Sequence, residues 1–140
     1  MPLSVSATFL MHNTGGAHNP AGAHLMICVA INVQKDLAVI VPIVTRHERS
    51  DSSCVLNVGD HPFINRESCA SYDFAQVVSL NDTNQQIAKG HIKLRASVSA
   101  DVLYRLQAGF VLSDETAPWI FEAASGQKLT IFLKGKGYIK

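Results

Sequence analysis

The chain has 140 residues, of which 47% are apolar and 16% are charged, and its formal net charge is +1. This length suits one domain that buries its own core without disulfide or metal staples, and the near-zero charge gives no global field that would attract nucleic acid. So small a number of charges often accompanies a covered sheet face or a subunit interface. We therefore expect a single domain over residues 1–140 that forms a homo-oligomer.

The cysteines point to a reducing compartment. Cys28, Cys54 and Cys69 lack CxxC spacing, and no signal peptide opens the chain, so we expect a cytoplasmic protein. No apolar run approaches the roughly 18 residues of a membrane span, so we expect no membrane partner.

The first half of the chain predicts a central hairpin. Residues 11–24, "MHNTGGAHNPAGAH", favour a loop. The runs at 25–31 and 37–44 are strand-like and almost continuously apolar, which predicts two paired strands covered on both faces. Pro42 lacks a ladder donor and predicts a bulge or bend.

Short strands continue beyond the hairpin. Residues 54–58, "CVLNV", predict a third strand that enters a turn at "GDHP". Residues 68–80 predict two more strands with a kink near Asp73. The polar residues 81–97 predict no element.

The last third predicts helices and one strand. Ser99 is a suitable N-cap for a helix over 100–110 that Gly109 closes, and a second helix is expected from Thr116 with Pro118 in its first turn. "KLTIFL", 128–133, has strand composition. The chain is therefore expected to be an α+β domain whose short strands form a small barrel.

Two kinds of chemistry find little support. His12, His18 and His24 share one Gly-rich loop but have no recognised zinc-ligand spacing, so no metal and no other cofactor is expected. A histidine-loop metal protein stays a weaker alternative. A nucleophilic cysteine paired with a histidine is conceivable around "GDHP", but no nucleophile elbow or papain-like pattern accompanies it.

Metal-free cleavage of RNA has a suitable set of residues. It requires a base for the ribose 2′-hydroxyl, an acid for the leaving oxygen and a donor for the phosphorane. Thr45, Arg46 and His47 offer a hydroxyl, a guanidinium and an imidazole, and His61 could transfer a proton while Asp60 orients it or holds the turn. Each histidine could equally be a surface or turn-stabilising residue.

The C-terminal segment is basic. No acidic residue follows Glu122, and the tail "FLKGKGYIK" is rich in lysine. A lysine-rich edge strand that resists aggregation is one interpretation. A second is that Lys134 and Lys136 contact RNA phosphates.

"AHLMICVAINVQKDLAVIVPIVTRHE" followed by "SCVLNVGDHPFINRESCASYDFAQVV" resembles the core of the PemK/MazF-like toxins over about residues 22–82. His24 matches the polar start of the first apolar strand, Thr45 the hydroxyl that ends the second, and Ser68 the serine of a later Ser-Tyr-Val segment. Cys69 stands where that family has tyrosine.

The resemblance implies an SH3-like barrel with a C-terminal helix, commonly a dimer, that cleaves single-stranded RNA without metal and is neutralised by an antitoxin. The first 16 residues contain no arginine, although the family usually has a catalytic one there. The leading hypothesis is a toxin-like endoribonuclease with Thr45, Arg46, His47 and His61 as catalytic residues and His24, Asp60, Lys134 and Lys136 as RNA-binding residues. The alternative is a non-catalytic module whose helix near 99–110 docks a protein partner.

Overall fold

The computed structural model describes residues 2–12, 23–46 and 50–140. Within these ranges seven strands form one antiparallel sheet, and four α-helices and a short 3-10 helix accompany it. The strands are β1 (Thr8–His12), β2 (Ala23–Asn32), β3 (Leu37–Thr45), β4 (Val55–Leu56), β5 (Ser68–Ala70), β6 (Gln76–Ser79) and β7 (Leu94–Arg95). The helices are the 3-10 turn (Tyr72–Phe74), α1 (Leu80–Ala88), α2 (Ala100–Leu112), α3 (Pro118–Ala123) and α4 (Gly126–Gly135).

The strand order is β4-β5-β3-β2-β1-β7, and β6 also pairs with β3. The expected α+β class is confirmed. Among the described strands, ladder hydrogen bonds do not close the sheet into the expected barrel, because β4 and β7 are its two ends.

The β2–β3 hairpin forms the middle of the sheet, as the apolar runs predict. Side chains that alternate along both strands pack on opposite faces because successive residues of a strand point to opposite sides. One face packs against α2 and α3, and the other packs against Leu3 and the region of α1. The first face includes Leu25, Ile27, Val29, Val39, Val41 and Ile43, and the second includes Met26, Cys28, Ala38 and Ile40.

The irregularity predicted at Pro42 lies instead opposite Val39 and Ile40 of β3. The register of β2 against β3 shifts between Cys28 and Ala30, whereas Pro42 keeps its partner Met26. On its other edge, β3 pairs with β6 up to Ile40 and with β5 from Ile43 onward, so Pro42 lies between the two partner strands. The Pro42 carbonyl accepts from the backbone N–H of Ser71 at 2.9 Å. The missing N–H of proline therefore falls where the neighbouring strand is interrupted.

Helix α2 begins at the predicted N-cap, since the Ser99 hydroxyl accepts from the N–H of Val102 at 3.2 Å. The expectation that Gly109 closes this helix is wrong, because α2 continues to Leu112. The position of Tyr72 accounts for a glycine inside this helix. The Tyr72 hydroxyl donates to the carbonyl of Leu106 at 2.8 Å, and a Cβ on Gly109 would lie only 2.3 Å from that hydroxyl.

The segment that looked like a C-terminal strand is helix α4, so both the strand and the lysine-rich edge are wrong predictions. Leu129 and Leu133 lie four residues apart on one side of α4 and pack with Ala108 of α2. The β-branched Thr130 and Ile131 favour a strand locally. The packing of Leu129 and Leu133 against α2 outweighs this local preference for a strand.

The remaining expectations are met in part. The third strand is shorter than 54–58, the pair of strands at 68–80 is separated by the 3-10 turn, and α3 begins at Pro118. Residues 81–97, which predicted no element, contain most of α1 and all of β7. The predicted loop at 11–24 contributes its ends to β1 and β2, and residues 13–22 lie outside the described ranges.

No helix in the described part of the chain is long and apolar enough to cross a membrane.

Candidate functional site

His61 is a buried residue that connects distant parts of the sheet. It follows β4, yet its ring lies against β1 and the residue after β7, and only 3% of its surface is exposed. Nδ1 accepts from the backbone N–H of Phe63 at 3.1 Å. The neutral ring therefore carries its proton on Nε2, which donates to the carbonyl of Ala96 at 2.6 Å and lies 3.1 Å from Thr8 Oγ1.

These contacts leave His61 little freedom for proton transfer. Thr8 is itself fully buried, and its hydroxyl donates to the same Ala96 carbonyl at 2.8 Å. Both ring nitrogens of His61 thus have partners inside the protein. A general base needs a free lone pair within reach of its substrate.

Asp60 shapes the "GDHP" turn. One carboxylate oxygen accepts from the N–H of Asn57 at 2.8 Å, and the other pairs with Arg105 of α2 at 3.0 Å. Gly59 has φ +103°, which other residues adopt with strain. The turn is therefore held from two sides, by its own backbone and by α2.

Arg105 was not singled out by the sequence, although it joins three parts of the structure. Besides Asp60, it donates to the carbonyl of Val55 at 3.3 Å and to Asp101 at 3.2 Å. The four-residue spacing of Asp101 and Arg105 on a predicted helix is a signal that could have identified the ion pair. Burial alone would lower the pKa of Arg105, but the hydrogen bond and charge of Asp60 raise it.

Thr45 and Arg46 lie together at the exposed end of β3. Thr45 is the ladder partner of Ser68, so the two hydroxyl residues of the resemblance are directly opposite each other. Ser68 is buried, and its hydroxyl donates to the carbonyl of Arg66 at 2.9 Å. Arg46 forms an ion pair with Glu67.

The other predicted residues are dispersed. His47 lies outside the described residues. His24 is on β2 opposite Met11. Lys134 and Lys136 are at the end of α4, where the Lys136 ammonium lies 5.6 Å from the ring centre of Tyr104 and 5.3 Å from that of Phe132.

Thr45 and Arg46 are neighbours in the chain, and the structure places His61 in a different setting. His61 is held by β1 and the segment after β7, whereas Thr45 is on β3, between β2 and β5. Within the described ranges, no group of three or more histidine, cysteine or acidic side chains is arranged to hold a metal ion.

The cysteines near the turn are buried thiols. Burial raises the pKa of Cys54 to about 11 and also raises that of Cys69. A thiol with a raised pKa is a weak nucleophile at neutral pH, because the reactive species is the thiolate.

Comparison with models of known protein families and with curated proteins finds no match to this chain.

Proposed function

We propose that this chain is a cytoplasmic PemK/MazF-like module that binds a protein partner and does not cleave RNA. The observation that carries the proposal is the state of His61, whose ring is buried and bonded through both nitrogens. The imidazole that the sequence suggested for proton transfer is instead held by hydrogen bonds that stabilise the fold. Asp60 and Arg46 are likewise engaged in ion pairs within the protein.

Two features support the PemK/MazF relation. Thr45 and Ser68, which carry the sequence resemblance, are ladder partners. In addition, His61 links the segment after β4 to β1 and to the segment after β7, so the two ends of the sheet approach each other. A curled sheet of this kind is consistent with an SH3-like barrel that one histidine completes in place of a ladder.

A binding role is supported by the surface of the helices. The apolar side of α2, near 99–110, is used within the domain, since Val102, Leu106 and Phe110 are buried. Other apolar side chains on helices α2–α4 face solvent: Leu112 is 62% exposed, Trp119 63% and Ile131 71%. We therefore assign partner binding to the outer side of α2–α4.

The test is incubation of purified protein with labelled single-stranded RNA in excess EDTA. We expect intact RNA under conditions in which a known metal-independent ribonuclease degrades it. Circular dichroism on the same sample would establish that the protein is folded. Discrete fragments ending in cyclic phosphate, lost in a Thr45→Ala variant, would contradict the proposal.

Endoribonuclease activity is the second candidate, and the exposure of Thr45 and Arg46 at the end of β3 favours it. In this case the 2′-oxygen attacks phosphorus, the 5′-oxygen leaves and a cyclic phosphate forms. Arg46 would stabilise the phosphorane after leaving Glu67, and His47 would move the protons. This candidate implies a homodimer and an antitoxin, and it predicts growth arrest on expression that Thr45→Ala relieves.

A further inference from the structure

Three aromatic rings form a cluster where α4 packs on α2. Tyr104 of α2 supplies the middle ring, whose centre lies 5.6 Å from that of Phe132 on α4 and 5.3 Å from that of Tyr138. The planes of these two pairs are inclined at 64° and 61°. The face of an aromatic ring is negative and its edge is positive. The cluster therefore offers neighbouring negative faces to a cation.

The end of α4 fixes the third ring. Gly137 has φ +85°, its N–H donates to the carbonyl of Lys134 at 3.1 Å, and the next N–H, of Tyr138, donates to the carbonyl of Leu133 at 3.0 Å. These two hydrogen bonds form the Schellman motif, in which glycine permits the chain to turn back at the end of a helix. The Tyr138 hydroxyl then donates to Asp101 of α2 at 2.7 Å. Backbone and side-chain hydrogen bonds thus hold this ring beside α2.

The cluster already binds a cation from its own chain. The Lys136 ammonium lies 5.6 Å from the ring centre of Tyr104 and 5.3 Å from that of Phe132, within the roughly 6 Å over which a ring attracts a cation. Lys136 belongs to none of the three ion pairs in the described ranges. Since Lys136 is exposed, its contact with the rings is weak, and a cation that binds the rings more strongly would displace it.

The charges next to the cluster also favour a cation. Asp101, which accepts from the third ring, pairs with Arg105, and Arg105 pairs in turn with Asp60. Two carboxylates and one guanidinium leave one negative charge, which attracts a cation over the rings and repels an anion. Lys134 and Lys140 are exposed, and the cation–ring contacts of the described residues do not involve them.

We infer that the faces of Tyr104 and Phe132 bind a methylated lysine side chain of the partner protein, which takes the place of Lys136. An unmodified lysine of a partner would not displace Lys136, because the tethered residue has the higher effective concentration. Methylation keeps the positive charge and removes N–H groups that bind water. Aromatic clusters recognise such methylated ammonium groups. The inference rests on the proposed function, because it specifies the chemistry of the protein partner.

The experiment measures the binding of three short peptides to the full chain by nuclear magnetic resonance. The first peptide has one trimethyllysine among glycine and serine residues, the second has unmodified lysine there, and the third has a neutral analogue in which carbon replaces the ammonium nitrogen. The trimethyllysine peptide should shift the ring resonances of Tyr104 and Phe132. It should bind about three- to fivefold more tightly than the neutral peptide, which has the same shape and lacks the charge.

Two substitutions should change the affinity for the trimethyllysine peptide in opposite directions. Lys136→Gln removes the internal competitor, so the peptide should bind about three- to sixfold more tightly. Phe132→Leu removes one of the two ring faces, so the peptide should bind at least about threefold more weakly.

The matched control is Phe63→Leu. The exposed fractions of Phe63 and Phe132 are 46% and 44%, and each ring has a basic side chain over it, since the Arg95 guanidinium lies 5.7 Å from the ring centre of Phe63. Phe63 follows β4 and is not part of the cluster, so Phe63→Leu should leave the affinity within about twofold of the parent. Thermal unfolding of every variant verifies that it is folded.

The inference is overturned if no peptide binds, if the neutral peptide binds as tightly as the trimethyllysine peptide, or if Phe132→Leu or Lys136→Gln leaves the affinity unchanged. It is also overturned if the parent sediments with phosphatidylcholine vesicles and does not bind the peptide, because the cation would then be a lipid headgroup. These outcomes leave the RNA cleavage test unaffected. A protein that cleaves RNA would refute the proposed function separately.

Discussion

At the scale of single residues, His61 makes three polar contacts inside the protein, with Thr8, Phe63 and Ala96. We expect His61→Ala to lower the free energy of unfolding by about 2–4 kcal/mol, because it leaves a cavity, removes the partner of the Phe63 N–H and leaves the Ala96 carbonyl with only the Thr8 hydroxyl as a donor. Urea denaturation followed by circular dichroism measures the change.

The control for His61 is His91→Ala. His91 follows α1, and its exposed ring contacts the side chain of Gln86. The loss of this ring should change the free energy of unfolding by no more than about 0.5 kcal/mol. Equal stability of the two variants would mean that His61 is dispensable for folding, and its candidacy as a catalytic residue would regain force.

Gly109 permits a close approach of α2 to the 3-10 turn and to the segment before β4. A Cβ there would lie 2.3 Å from the Tyr72 hydroxyl and 2.9 Å from Cβ of Cys54. We expect Gly109→Ala to destabilise the protein by about 1–3 kcal/mol, although alanine is the better helix former. The measurement is the urea midpoint.

Gly135 provides the comparison, since a Cβ at this last residue of α4 would meet no atom within 4 Å. Gly135→Ala should therefore be neutral or stabilising by up to about 1 kcal/mol. A similar loss of stability in both variants would show that the crowding at Tyr72 is not what requires glycine at position 109.

At the scale of elements, the start of α1 is tied to the β2–β3 turn through Asp36. Its carboxylate accepts from the Ser79 hydroxyl and from the N–H of Asn81, each at 2.7 Å. These hydrogen bonds, first that from Ser79, lower the pKa of Asp36 below its ordinary value of 3.8. The ionised form thus stabilises both the turn and the helix terminus.

The sign of the resulting pH dependence follows from linkage. Because the folded pKa is the lower one, the stabilisation is fully present above pH 3.8 and is lost as pH falls through the folded pKa. Asp36→Asn should have a lower free energy of unfolding than the parent at neutral pH, and the difference between the two proteins should become smaller in acid. Asparagine suits the left-handed backbone at this position, φ +56°. A gap that stays constant from neutral to acid pH would contradict the assignment.

The elements differ in how far local pattern determines them. The β2–β3 hairpin and the start of α2 could be predicted because apolar periodicity and the Ser99 cap are local signals. Helix α4 could not, since its strand-like residues are overruled by contacts of Leu133 with α2. The environment of His61 depends on Thr8, which is 53 residues away, so no motif around "GDHP" could reveal it.

At the scale of the whole molecule, side-chain contacts connect the β4 end of the sheet with its β7 end, which no described ladder joins. His61 reaches Thr8 and Ala96, and the guanidinium of Arg95 lies 5.7 Å from the ring centre of Phe63. Arg105 fastens the same turn to α2. The "GDHP" segment therefore links β4, the opposite sheet edge and the helical layer, which explains why its residues are engaged structurally.

The three cysteines report on opening of the entire domain. Cys28, Cys54 and Cys69 are free and at most 5% exposed, and burial raises the pKa of Cys28 to about 12 and that of Cys54 to about 11. Since an aromatic disulfide reagent attacks only an accessible thiolate, we expect native protein at neutral pH to react slowly at all three positions with one common rate. Urea should accelerate the three reactions in parallel, and His61→Ala should accelerate them without urea because opening becomes more frequent. Mass spectrometry of partly labelled protein distinguishes the sites. Fast labelling of Cys54 alone would contradict common opening, and it would mean that a cleft lined by Cys54 and Arg105 admits solvent and reagent in the folded state.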